Sequence, residues 1–184
     1  YLQREHIPPR AVEPDDLDYL YLIENDSSVW YEGATVAPYS RALLHQYIDQ
    51  YTSDIYRDRQ LRLIVTLNTT GARVGIADLY EYDPTHNRAG VGLYINPEYR
   101  RQGYGRESLN ALCEYAFDLL HMHQLYAIAR IGNKASISLF TACGFNRHNT
   151  LHEWVREHDH YTDALIMQYI RRTSSTPNIS HQDE

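Results

Sequence analysis

The chain has 184 residues, 43% of them apolar, enough to close one domain around a core. Its net charge of −7, from 24 acidic against 17 basic groups, argues against a general nucleic-acid binder and is compatible with a cationic substrate such as an amine. Two cysteines make no disulfide framework, no segment is long and apolar enough to cross a bilayer, and no signal-peptide pattern is present, so a cytoplasmic protein is expected.

The chain begins at Tyr1 rather than Met, and its natural start is expected upstream. Residues 2–12 read as extended, because Pro8-Pro9 forbids helix. Glu13-Pro14-Asp15-Asp16 reads as a helix start, with proline and acids in the first turn, and the helix runs to about Asn25. Ser40 reads as the N-cap of a second helix over 41–51. Residues 61–67 and 74–82 read as a strand pair around the turn Asn68-Thr69-Thr70-Gly71, and 89–95 as the next strand after Asp83-Pro84. Leu109, Leu112, Cys113, Ala116, Phe117 and Leu120 recur at spacings of three and four, giving a helix over 105–120. A short strand follows over 124–129. A helix over 133–143 has Asn133 as its cap and Gly144 at its C-terminal stop. Residues 145–154 and 161–170 form a closing strand pair. Residues 1–172 read as one domain, and 173–184, almost without apolar content, as a flexible tail.

The most informative stretch is Val91–Gly105. A strand stops at Asn96-Pro97, a basic loop Arg100-Arg101-Gln102-Gly103-Tyr104-Gly105 follows, and a helix begins. Glycines let the backbone approach an anion, and the amides of a helix's first turn point at it. Arg100, Arg101 and Arg106 add positive charge, so the pattern points to a nucleotide-bearing ligand. The dinucleotide fingerprint fails because Ser108 stands where its third glycine belongs, and the triphosphate loop fails because no Gly-Lys pair follows. Plain chain reversal is the rival reading of two glycines in a turn.

Arg100, Gly103 and Gly105 also fit the pattern Arg/Gln-x-x-Gly-x-Gly/Ala, which resembles the acyl-CoA loop of the GNAT family of N-acetyltransferases. A second block, Leu125 to Phe145, resembles that family's strand, Asn-x-x-[Ser/Ala], helix and Gly-Phe ending. The opening residues 10–17 and the ending Asp163-Ala164-Leu165-Ile166-Met167 are similar to its ribosomal-protein and diamine (spermidine) acetyltransferase branch. The resemblance implies an α+β (mixed α/β) GNAT fold. Its central mixed, mostly antiparallel sheet has about seven strands, is flanked by about four helices, and is splayed between strands 4 and 5. It also implies direct, acetyl-CoA-dependent acetylation of a primary amine, either a polyamine or other small amine or a protein N-terminus. A homodimer or higher homo-oligomer is implied by the same likeness, and no metal is expected.

By that resemblance the backbone of Leu93, Tyr94 and Ile95 receives the pantetheine arm, and one of its N–H groups polarises the thioester carbonyl. Arg100, Arg101, Gln102, Gly103, Tyr104, Gly105 and Arg106 hold the pyrophosphate. Asn133, Ser136 and Phe140 line the arm from the other side. Polyamine-acetylating relatives carry a tyrosine, read as proton donor, where this chain has Phe140. That departure keeps alive a rival reading, an acyl-CoA-binding or sensing module with lost or weak catalysis. For attraction or deprotonation of the amine, the candidates are Glu32, Asp78 and Glu81. Strand alternation places Asp78 with Tyr80 and Tyr82 on one face and Glu81 on the other.

Overall fold

A computed structural model describes residues 7–27 and 37–171. Chain order is β1 (Pro9–Ala11), a 3-10 turn (Pro14–Asp16), α1 (Leu17–Glu24), α2 (Arg41–Gln50), α3 (Ile55–Asp58), β2 (Leu61–Thr66), β3 (Arg73–Asp83) and β4 (Arg88–Ile95). A second 3-10 turn (Pro97–Tyr99) leads into α4 (Tyr104–Glu114), followed by β5 (Gln124–Arg130), α5 (Lys134–Ala142), β6 (Arg147–Glu157) and β7 (His160–Ile170). One seven-stranded sheet has the order β1-β2-β3-β4-β5-β7-β6. Every neighbouring pair is antiparallel except β4 with β5.

Local signals behave as the sequence leads one to expect. The Ser40 hydroxyl accepts from Leu43 N–H at 3.1 Å and starts α2. Gly144 has φ +105 and ends α5. The helix after the glycine loop ends its α-helical part at Glu114 and continues as a π-helical turn, Tyr115–Leu119. α3 leaves no period in the sequence, because four residues are too few to show one. Asp54 caps it by accepting from Tyr56 N–H at 2.9 Å and Arg57 N–H at 3.3 Å. The described residues therefore hold five α-helices rather than about four.

The sheet separates two apolar layers. On one face Leu63, Val65, Ala77, Leu79, Val91, Leu125 and Ala127 pack with Leu109, Leu112 and Ala116 of the α4 segment and Phe140 of α5. On the other, Ile64 and Ile76 pack with Leu20 of α1 and Leu44 of α2. Strand alternation produces both layers at once: odd positions such as Leu63, Ala77, Leu79, Val91 and Leu125 feed the first, and Ile64 and Ile76 between them feed the second. The entry to α1 is pinned by Asp16, which is fully buried. Its carboxylate accepts from Arg10 Nη1 at 2.7 Å, Arg10 Nη2 at 2.8 Å, Arg73 Nε at 2.5 Å and Glu13 N–H at 2.8 Å. Burial pushes the Asp16 carboxyl up, and these donors outweigh it and hold it down at about 2.

Candidate active site

The sheet parts at its centre. β4 meets β5 only over Arg88–Gly90 against Gln124–Tyr126, although β4 runs on to Ile95 and β5 to Arg130. β5 instead stays with β7 along its whole length, Gln124–Arg130 against Ile170–Ala164. Val91–Ile95 thus keeps β3 on one side and, among the described residues, has no strand on the other. Asn96 N–H donates to Val74 O at 2.9 Å. Alternation along an antiparallel ladder then turns the backbone groups of Gly92 and Tyr94 toward β3, and those of Val91, Leu93 and Ile95 toward the opening. The expectation for Tyr94 is corrected accordingly: its N–H and C=O belong to the β3 ladder, whereas those of Leu93 and Ile95 face the gap.

The glycine loop closes one end of this opening. Gly103, at φ +86, is the N-cap of α4, no side chain caps that helix, and a Cβ built on Gly103 would meet nothing within 4 Å. The first-turn amides therefore sit at an approachable, positively polarised helix end. Gly105 serves packing, since its Cβ would lie 3.3 Å from Leu139 Cδ2 and 3.7 Å from Ile95 Cγ1 and Leu93 Cδ2. Its missing side chain seats α4 on α5 and β4. Tyr104 is half-buried beside it, and Arg101, Gln102 and Arg106 are exposed. Arg100 is tied inward. Its Nε donates to Ile95 O at 2.8 Å, and its guanidinium lies 5.8 Å from the Tyr94 ring centroid. Gln102 Nε2 donates to Glu98 O at 3.1 Å. Arg101 and Arg106 are the cations left to face an anion at the turn.

The opposite wall begins at α5. Asn133 Oδ1 accepts from Ser136 N–H at 3.1 Å, so the asparagine caps the helix, and Ser136 is half-buried one turn in. Phe140 is corrected. It is buried in the larger apolar layer, its ring edge-on to Phe145 with centroids 5.0 Å apart and planes at 84°, and it forms core rather than an open wall.

The acids divide sharply. Asp78 lies directly across from Arg62 in the β2–β3 register and accepts a two-pronged pair from it, Nε–Oδ1 and Nη2–Oδ2 both at 2.9 Å. Arg62 Nη1 also reaches Glu24 at 2.6 Å. Burial pulls the guanidinium's pKa down, but Asp78 and Glu24 outweigh it and raise it above the usual arginine value. Asp78 is thereby corrected from candidate base to ion-pair partner, because both of its oxygens are occupied. Glu81 lies in a bulge where the β3–β4 register slips between Tyr80 and Asp83, with φ +49. The bulge breaks the expected alternation. Tyr82 turns into the larger layer, edge-on to Tyr56 at 5.6 Å, and leaves the Asp78–Tyr80 face. Glu81 Oε2 instead accepts from the Tyr126 hydroxyl at 2.9 Å, and Tyr126 lies edge-on to Tyr80 at 6.0 Å. Tyr126 carries no motif in the sequence; its one signal is its even position beside the buried Leu125 and Ala127. Glu32 lies outside the described residues.

A parallel pair that parts after three registers, with an uncapped glycine-started helix at its mouth, defines an acyl-CoA-dependent transferase. The family model "Acetyltransferase (GNAT) domain" matches residues 10–146, and the chain belongs to that family. It is an acetyl-CoA-dependent N-acetyltransferase with acetyl-CoA as cosubstrate. It is 27% identical to a spermidine N(1)-acetyltransferase of Escherichia coli (strain K12) over 161 residues, 86% of this chain and 82% of that protein. It is 22% identical over 183 residues to a putative ribosomal N-acetyltransferase of Bacillus subtilis (strain 168), covering 91% of this chain and 93% of that one. Among solved structures, the spermidine N-acetyltransferase of Vibrio cholerae in complex with CoA and spermine superimposes with a TM-score of 0.79. That likeness has 24% identity and covers 89% of this chain and 95% of the other. A dodecameric form of the Vibrio cholerae enzyme matches with a TM-score of 0.75 at 25% identity, over 89% of this chain and 93% of that one.

Proposed function

We propose that the acceptor is a small primary amine of the polyamine type. The observation that carries this reading is the sheet face opposite α4 and α5, where the Glu81 carboxylate, Tyr80 and Tyr126 gather at the start of the strand opening. Such a face attracts a cation to the thioester. The names of the Escherichia coli and Vibrio cholerae relatives point the same way.

Acetyl-CoA supplies the activated acyl group; the chain's residues hold and polarise it. The first-turn amides from Gly103 to Arg106, with the Arg101 and Arg106 side chains, hold the diphosphate. Leu93 and Ile95 offer backbone groups to the pantetheine amides, as an added strand does. An N–H in this row polarises the thioester carbonyl, and Asn133 and Ser136 flank the arm from α5. Phe140 has no proton to give, so the amine reaches the thioester neutral, its nitrogen loses a proton to solvent as the new C–N bond forms and the C–S bond breaks, and the sulfur departs as thiolate and is protonated by solvent, which a thiol of ordinary acidity allows.

Thiol release measured over a panel of polyamines, simple amines and peptides tests the reading. Turnover with polyamines above peptides is expected, and turnover confined to peptides overturns it. A homo-oligomer in the cytoplasm completes the proposal. Trp154 and Tyr161, 56% and 60% exposed on the β6–β7 hairpin, support self-association, and the two buried free thiols support a reducing compartment.

A further inference from the structure

We propose that Glu81, Tyr126 and Tyr80 form the subsite that receives the acceptor's ammonium group, with Glu81 as its counter-ion. The inference rests on the amine-acetylating reading and names the residues that execute it.

Position comes first. Gly90 and Tyr126 are the last residues that join β4 to β5, so Tyr126 stands where the opening begins. Its side chain lies on the face away from α4 and α5, because its neighbours Leu125 and Ala127 enter the layer those helices cover. The diphosphate-holding turn and this subsite thus flank the opening from different sides. A cosubstrate laid along β4 and an amine arriving on the Tyr126 face meet without crossing.

Construction comes second. In unbroken alternation Glu81 would share the buried face of Ala77 and Leu79. The bulge and the left-handed φ of +49 re-aim it to the hydroxyl of Tyr126. Tyr82, turned into the core, anchors the far side of the bulge. Gly90 supplies the floor. A Cβ there would lie 2.3 Å from Tyr80 Cε2, so only glycine lets the Tyr80 ring lie flat enough on β4 to meet Tyr126 edge-on.

Chemistry comes third. A carboxylate hydrogen-bonded to one tyrosine, with a second tyrosine packed edge-on to the first, is a site for an alkylammonium ion. Tyr126 fixes Oε2 of Glu81 by donating to it, which leaves Oε1 for a cation. Asp78, on the same face, has both oxygens on Arg62 and competes little. Desolvation, with Glu81 and Asp78 adding to it, pushes the Tyr80 hydroxyl up to about 12, so the ring stays neutral.

The test is calorimetric titration of spermidine and of butylamine into the CoA-saturated protein, alongside steady-state thiol release. Glu81→Gln is expected to weaken amine binding and raise the amine KM by about tenfold. Tyr126→Phe is expected to do so by about threefold, and Glu81→Asp to recover part of the loss. CoA affinity is expected to stay within about twofold of the parent value in all three, which separates a subsite from a folding defect. Unchanged amine binding in Glu81→Gln, or no binding of either amine to the parent protein, overturns the proposal. Amine binding that depends on Glu81 without thiol release supports the subsite and overturns the amine-acetylating reading instead.

Discussion

Arg62 and Asp78 face each other across β2 and β3 and are joined by two parallel hydrogen bonds of 2.9 Å. The pair decides the electrostatics of the acceptor face. It ties up one acidic candidate and leaves Glu81, among the described residues, as the carboxylate with an open oxygen beside the strand opening. A half-buried pair of this geometry is strongly unfavourable to break one-sidedly, because the surviving charge is left in a poor solvent. Arg62→Met is therefore expected to destabilise the fold by about 3 kcal/mol. Arg62→Met combined with Asp78→Leu is expected to recover much of that loss, and chemical denaturation of the two variants measures both.

Gly103 is required for its conformation and for the space it leaves. Gly103→Ala strains a residue at φ +86 and is expected to cost about 1 kcal/mol of stability. It also places a methyl at the approach to the α4 amides, so acetyl-CoA affinity is expected to fall about tenfold. Titration calorimetry and a thermal melt separate the two effects.

The arginines of the loop are expected to divide by role. Arg101→Ala and Arg106→Ala should each weaken acetyl-CoA binding by about three- to tenfold, and the loss should shrink as salt is raised. Arg100→Ala should act through the loop's anchorage to Ile95 O, giving a weaker dependence on salt. Binding isotherms at low and high ionic strength check the division.

Asp16 links acid stability to one residue. Its folded pKa, held at about 2, lies below the unfolded value, so its contribution is complete above about pH 4 and is lost as pH falls toward 2. Asp16→Asn is expected to lower stability near neutral pH by about 2–3 kcal/mol and to flatten the acid limb of the stability profile. Unfolding midpoints measured from pH 7 to pH 2 show whether it does.

Phe140 tests the boundary between core and cleft. As a buried ring against Phe145, its replacement by alanine is expected to cost about 3–5 kcal/mol, as cavity formation does. A loss below about 1 kcal/mol in denaturant titration would place the ring in the cleft instead.

The architecture was legible in the sequence where chemistry is local. Ser40, Asn133 and Gly144 announced helix ends, and Gly103 with Gly105 announced the turn at the mouth of the opening. What escaped depends on relations between strands. Side-chain alternation says which face a residue takes and not which neighbour its amide meets, so nothing in the sequence separates Tyr94 from Leu93 and Ile95. A one-residue bulge at Glu81 reverses the pattern beyond it, and Tyr82 consequently turns the other way. The Arg62–Asp78 pair becomes visible only once the β2–β3 register is known, because 16 residues separate its partners. Tyr126 carried no motif, and its place at the parting of the strands is a product of topology.

Residue-resolved amide hydrogen exchange on β4, with and without CoA, probes the parted sheet itself. Slower exchange is expected at Leu93 and Ile95 when CoA is bound, with Tyr94 little changed because its N–H already pairs with β3. Saturating CoA that leaves Leu93 and Ile95 exchanging as before would contradict an arm lying along that strand.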